Sequence, residues 1–298
     1  MPQPNLSHLA VFAAIARLGS FQRAAAEVGM STSAVSHAIR GLEERLGVSL
    51  FNRTTRSVAL TEAGQRLVER LQPALRDVGD ALNEMNDFRT LPSGKLCINT
   101  SRVAAQMLLA PLMARFLTAY PDIHLEVVED DGLVDIVASG CDAGIRFQEA
   151  VPEDMVGVRF GGAQRLVVVG SPDYFARRPP PRHPDDLDRH ECIRFRFQSG
   201  RIFKWEFAEG DRAFERDVAG RLILSGEELQ LRAALDGLGL AFVFEQLAAD
   251  AIADGRLVRV LQDWERTYDP GFVLYYPRQR RMPSALRAFI DMVRPPAG

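Results

Sequence analysis

The sequence predicts a multidomain α+β protein: a mostly helical N-terminal module, a long linker helix and an α/β C-terminal domain. Three observations predict it. Over the first 60 residues, apolar side chains recur at helical spacing and are interrupted at Gly19, Gly29 and Gly47. Residues 62–89 carry one broad apolar stripe. From Lys95 onward, short strand-like runs alternate with helix-length segments, the pattern of a layered α/β domain. These shifts divide the chain into 4–61, 62–90 and 93–298, with LPSGK from Leu91 to Lys95 as a hinge.

In the first module, Leu6, Leu9, Phe12, Ala13 and Ala16 mark one helix that Gly19 stops. Ser20 caps a second helix over 21–28, Gly29 and Met30 turn, and Ser31 caps a third helix running to Leu46. Ala25, Gly29 and Val35 have the spacing of a tight helix-turn-helix: a small residue where the helices cross, a positive-φ turn, and an apolar residue beneath. Val48, Leu50 and Phe51, then Val58 and Leu60, read as two strands of a hairpin wing around a polar tip.

The third helix sorts by face. Val35, Ile39, Leu42 and Leu46 make the core side, while Ser33, Ser36, His37 and Arg40 make a small, polar side. Small residues early in such a helix let it enter a major groove, where Arg40 reaches a phosphate or a guanine edge. The candidate DNA contacts are Ser20, Gln22, Ser31, Thr32, Ser33, Ser36, His37 and Arg40, with Arg53, Thr54, Thr55 and Arg56 on the wing tip. The net charge is −3, yet residues 1–60 hold six arginines against three glutamates. A basic module on an acidic body suits phosphate contact at one end.

Thr61 caps the long helix, whose stripe comprises Leu67, Leu71, Leu75, Val78, Leu82 and Met85, and Pro73 is expected to bend it. Packing within the chain would cover such a stripe, but a second copy of the helix is the favoured partner. In the α/β part the expected strands are 95–99, 124–129, 143–145, 166–170, 192–197, 202–207, 214–224, 240–244, 257–260 and 272–276. The expected helices are 102–119, 133–139, 227–235, 247–253 and 285–293. This alternation implies mostly parallel sheets with ligands at strand C-terminal ends.

Candidate ligand contacts gather at those ends: Thr100, Ser101, Arg102, Arg146, Phe147, Arg196, Phe197, Ser225 and Phe244. The helix starts at Ser101 and Ser225 offer N–H groups and a positive dipole end, which suit a carboxylate or another anion. Thr100, Ser101 and Ser225 fit simple capping equally well.

No catalytic or metal constellation is present: the five histidines lack metal spacing, and G-x-S-x-G and H-E-x-x-H are missing. No cofactor is expected. Cys97, Cys141 and Cys192 form no C-x-x-C pair and read as small buried side chains. No apolar run reaches the roughly 18 residues that cross a bilayer, and the N-terminus lacks a secretory pattern, so the expectation is a cytoplasmic protein with no membrane partner. A solute carrier built on the α/β part, and an enzyme with an unrecognised site, are the rival readings. The missing leader and the attached helix-turn-helix oppose the first, and the lack of a paired acid and base opposes the second.

Residues 6–64, with LSHLAVFAAIARLGSFQRAAAEVGMSTSAVSHAIRGLEERLG and SLFNRTTRSVALTEAG, closely resemble the N-terminal domain of LysR-type transcriptional regulators. The rest, with CDAGIRF, ALDGLGLAF and ALRAFIDM, resembles the effector-binding domain of that family. The resemblance implies a winged helix-turn-helix, a dimerising linker helix, and a two-lobed periplasmic-binding-protein-like domain. It places lobe one at 93–164 and 269–298 and lobe two at 165–268, with two crossovers and a small effector in the cleft. It also implies a double-stranded DNA operator with inverted repeats, a homodimer or homotetramer, and RNA polymerase as a partner. Thr32, His37, Gly41 and Ser49 depart from residues frequent in the family, so the operator sequence is expected to be this chain's own.

Overall fold

The computed structural model describes residues 6–53, 58–84, 91–132, 135–137, 139–210, 212–278 and 282–294. The chain divides into two compact units, Met1–Gly94 with Asp135–Gly140, and Lys95–Val134 with Cys141–Gly298.

The first unit begins with α1 (Leu6–Leu18), α2 (Phe21–Glu27) and α3 (Thr32–Leu46). The caps are those the sequence predicts: Ser20 Oγ accepts from Arg23 N, and Ser31 Oγ accepts from Ala34 N. Gly47 closes α3 in the left-handed region. Strands β1 (Phe51–Arg53) and β2 (Val58–Leu60) pair antiparallel, with Phe51 opposite Leu60. Val48 is exposed and lies outside β1, because the chain is still turning after Gly47.

Thr61 Oγ1 then accepts from Gly64 N at 3.0 Å and opens α4 (Glu62–Glu84). Gly64 is required there: a Cβ would stand 2.2 Å from the Leu50 carbonyl oxygen. The core of this unit unites Phe12, Ile15, Val35, Ile39, Leu42, Leu50 and Phe51 with Val68 and Leu71 of α4.

The second unit holds two mixed sheets. One has the order β4-β3-β5-β15-β6, built from β3 (Gly94–Thr100), β4 (Ile123–Glu129), β5 (Ala143–Phe147), β6 (Met155–Phe160) and β15 (Phe272–Pro277). The other has the order β11-β8-β12-β7-β13, with β14 also pairing β7. Its strands are β7 (Gln164–Gly170), β8 (Cys192–Phe195), β11 (Ile223–Leu224), β12 (Leu240–Phe244), β13 (Val258–Val260) and β14 (Thr267–Tyr268). Each sheet and its helices form a lobe, and the chain crosses between them after β6 and after β14.

The sheets are less parallel than the alternation implies. β3 runs parallel to β5 and β8 to β12, but β15 is antiparallel to β5 and β6, and β7 to β12, β13 and β14. β7 and β15 are the strands that enter a lobe directly from a crossover, without a helix to reverse the chain first.

Three further expectations are corrected. Residues 102–119 are not one regular helix: α5 (Arg102–Ala104) passes through a π-helical turn, Ala105–Leu109, into α6 (Ala110–Ala119). Pro111 has no N–H for the Met107 carbonyl, which accepts instead from Gln246 Nε2 at 3.4 Å. Around 133–139 the described residues form turns; Asp135 accepts from Val137 N and ends the run as a single turn. The 202–207 and 214–224 hairpin is β9 (Trp205–Glu209) with β10 (Arg212–Arg216), and the chain leaves it before β11 joins β8. α7 (Pro172–Phe175), α8 (Glu227–Leu235), α9 (Glu245–Ala253) and α10 (Ser284–Val293) complete the unit.

Candidate nucleic-acid interface and ligand cleft

The helix-turn-helix is built from the core outward. Ala25 is buried where α2 meets α3, Gly29 turns at φ +66°, and Val35 and Ile39 are fully buried beneath. That packing leaves Ser31, Thr32, Ser33, His37 and Arg40 exposed along one side of α3, with Ser36 half-buried. Gln22 on α2 is exposed and Ser20 is half-buried as its cap. Ser31 Oγ and Ser33 Oγ lie 2.9 Å apart, and Arg40 Nε bonds weakly to its own helix at Ser36 O, 3.5 Å. Other arginines of this module are engaged locally: Arg17 pairs with Glu27, and Arg45 reaches His8 Nδ1 at 2.7 Å. Thr54, Thr55 and Arg56 lie outside the described residues, as does the side chain of Arg53.

Glu43, half-buried on α3, serves the module itself. Its Oε1 accepts from Leu50 N at 2.8 Å and Phe51 N at 3.4 Å. One carboxylate of α3 thereby holds the start of the wing.

The apolar stripe of α4 divides. Leu71 is buried in the module's own core, and Leu67 and Leu75 pack against that core. The module's own core thus accounts for part of the stripe, since periodicity does not say what covers a face. Val78 is 48% exposed. Met85 and the side chain of Leu82 lie outside the described residues.

In the second unit a cavity of about 680 Å³ lies between the lobes. Of the candidate ligand contacts, Ser101, Arg146, Phe147, Phe197 and Phe244 line it, and Thr100, Arg102, Arg196 and Ser225 do not. Thr100 ends β3 with its side chain fully buried. Alternation after β8 sends Phe195 and Phe197 inward and Arg196 outward. Exposed Arg102 approaches Glu129 at 3.7 Å, and Ser225 is exposed ahead of α8.

Arg146 borders the cavity but is committed to the fold. It is 5% exposed; Nη1 donates to Ile145 O, and Nη2 to Asn99 Oδ1 at 2.6 Å, Asp130 O at 2.8 Å and Gly132 O at 3.1 Å. Burial pushes its pKa down while Tyr275, Asp130 and Asp131 push it up, and it stays charged.

Both helix starts expected to hold an anion already hold a carboxylate of the chain. Asp131 Oδ1 accepts from Arg102 N at 2.8 Å, and Ser101 Oγ accepts from Ala104 N. Glu227, in the first turn of α8, takes a hydrogen bond from its own backbone N–H; its pKa is raised by burial and, more weakly, by Asp131.

Aromatic rings make up much of the remaining wall. Phe147 meets Phe272 at 4.5 Å and Tyr268 at 5.4 Å between ring centroids, and Phe203 stacks on Phe242. Tyr268 Oη donates to Glu206 Oε2, as does Arg266, whose guanidinium lies 4.7 Å above the Tyr268 ring. Asp131, Glu206, Glu227, Phe242 and Tyr268 converge from distant segments and are invisible to local spacing. Among the described residues, no group of three or more metal-ligating side chains could hold an ion. No described helix is long and apolar enough to cross a membrane.

Comparison with known proteins decides the family. Residues 6–65 match "Bacterial regulatory helix-turn-helix protein, lysR family", and residues 89–296 match "LysR substrate binding domain". The chain belongs to the LysR family of DNA-binding transcriptional regulators. Similar LysR-type proteins include the uncharacterized HTH-type transcriptional regulator YcaN of Escherichia coli, 48% identical over 97% of this chain and 95% of that protein. The regulator PgrR of Escherichia coli is 38% identical over 99% of this chain and 98% of that protein. The solved structure of CrgA, a LysR-type regulator of Neisseria meningitidis, has a TM-score of 0.61 at 29% identity, covering 98% of each chain. The LysR helix-turn-helix match thus spans α1 to the start of α4, and the substrate-binding match spans both lobes.

Proposed function

We propose that this regulator binds an inverted-repeat operator as a dimer or dimer of dimers, and that a small effector in the inter-lobe cleft sets its activity. The observation that carries the DNA reading is the exposed, hydroxyl-rich side of α3 with His37 and Arg40 at its end. Ser31 to Arg40 read base edges in the major groove, while Arg53 to Arg56 hold the backbone. Two copies pair along α4 from Val78 onward, which sets recognition helices in grooves about one helical turn apart. The protein works in the cytoplasm, where RNA polymerase is its further partner. The effector shifts a pre-existing balance between lobe arrangements, so it binds one arrangement more tightly than the other.

A mobility-shift titration on the DNA upstream of its own gene tests this reading. Arg40→Ala weakens specific binding by about 1–3 kcal/mol, the scale of one base contact, and leaves random-sequence binding nearly unchanged. An unaltered affinity and footprint would remove Arg40 from the reading face. Val78→Glu puts a charge in the α4 seam; light scattering then finds smaller species, and operator affinity falls about a hundredfold as the two half-sites bind independently. Unchanged oligomer size in that variant would place the seam elsewhere.

A further inference from the structure

The chemistry of the cleft speaks to its ligand, given the reading that the cleft is the effector site. Two of the three arginines at the cavity wall, Arg146 and Arg266, are engaged in hydrogen bonds of the fold. Arg146 is spent on Asn99 and three carbonyls, Arg266 on Glu206, and Arg201 lies 4.8 Å above the Phe197 ring. The two helix N-termini, which would otherwise attract an anion, are occupied by Asp131 and Glu227. These carboxylates belong to opposite lobes and repel one another; Arg102 favours the charged form of Glu227 while also approaching Glu129 at 3.7 Å, and Asp131 lies near the guanidinium of Arg146, which is already bonded to the fold. A ligand carboxylate at this end would meet two like charges in a partly desolvated setting, whereas a cation would neutralise them. Away from that end the walls include the rings of Phe147, Phe197, Phe203, Phe242, Phe244 and Tyr268, with polar side chains such as Gln198 and Glu206 among them. Such rings favour flat apolar bodies, and their faces attract cations.

We propose that the cleft takes a flat, largely apolar molecule ending in a hydrogen-bond-donating cation, such as a protonated aromatic amine, and that it rejects the matching carboxylate. Glu227 and Asp131 receive the cation from the two lobes, so the ligand ties the lobes together at the α5 and α8 helix starts. Specificity then comes from attraction at one end and from like-charge rejection of the most similar acids.

Isothermal calorimetry on the full-length protein tests this with three matched probes: 2-phenylethylamine, 2-phenylethanol and phenylacetate. The expected result is that the amine binds at least tenfold tighter than the acid, with the alcohol between them. In Glu227→Gln and in Asp131→Asn the preference for the amine over the alcohol shrinks severalfold, while the alcohol binds as before and so reports a folded cleft. Val103→Trp, which fills the cavity, abolishes all three. Phenylacetate binding tighter than the amine, and lost in Val103→Trp, overturns the cationic class and leaves the effector cleft standing. Binding unaffected by Val103→Trp, or no binding by any of the three probes, overturns the proposal and the cleft reading together.

Discussion

Replacing Arg146 by methionine lowers the stability of the α/β domain by about 3–5 kcal/mol, the cost of removing one member of a buried charged network. The loss follows from the bonds it makes: Asn99 Oδ1 and the carbonyls of Ile145, Asp130 and Gly132 all accept from this guanidinium inside the protein. A methionine fills much of the volume but donates nothing, so these acceptors are left desolvated and unmatched. Both tryptophans, Trp205 and Trp264, lie in the α/β domain. Urea unfolding followed by tryptophan fluorescence therefore reads this domain alone. A variant with wild-type stability that has lost its response to effector would make Arg146 a ligand contact instead.

Phe12→Ala has the complementary outcome. Phe12 is 0% exposed, and its ring lies 5.3 Å from that of Phe51 at the base of the wing. Truncation costs about 3–5 kcal/mol in a well-packed core. It unfastens α1 from β1 and thereby loosens α3, so operator binding is lost. The tryptophan transition stays where it was, because the damaged core contains no tryptophan. A concurrent shift of that transition would mean that the two units unfold as one.

The different success of sequence reasoning in the two units has a physical origin. In the first unit the determinants are local. Ser20, Ser31 and Thr61 cap helices whose first turns follow at once, and Gly29 and Gly47 take positive φ within the segment they punctuate. Those short-range rules give the helices, the wing and the exposed side of α3. The cleft obeys no such rule. Arg146 has the position of a ligand contact at a strand end, but its role depends on Asn99 and on the loop at Asp130, 47 and 16 residues away in sequence. Asp131 and Glu227 meet only because the chain crosses between lobes. The antiparallel strands β7 and β15 escaped for the same reason, since direction is set by crossovers and not by the residues within a strand. The stripe of α4 was legible as a stripe, but periodicity does not say what covers it: Leu67, Leu71 and Leu75 pack with the first unit's core.

The carboxylate of Glu43 joins the helix that would read bases to the strand that carries the wing, through the backbone N–H groups of Leu50 and Phe51. Thr61 Oγ1, donating to Ser49 O at 2.7 Å, anchors the same segment from the far side of the hairpin. On the proposed reading, α3 and the wing base are the two jaws of a calliper whose opening these bonds set. A half-site whose groove width departs from that opening would then be accommodated by deforming the duplex, and base pairs that no side chain touches would contribute to operator choice through their stiffness.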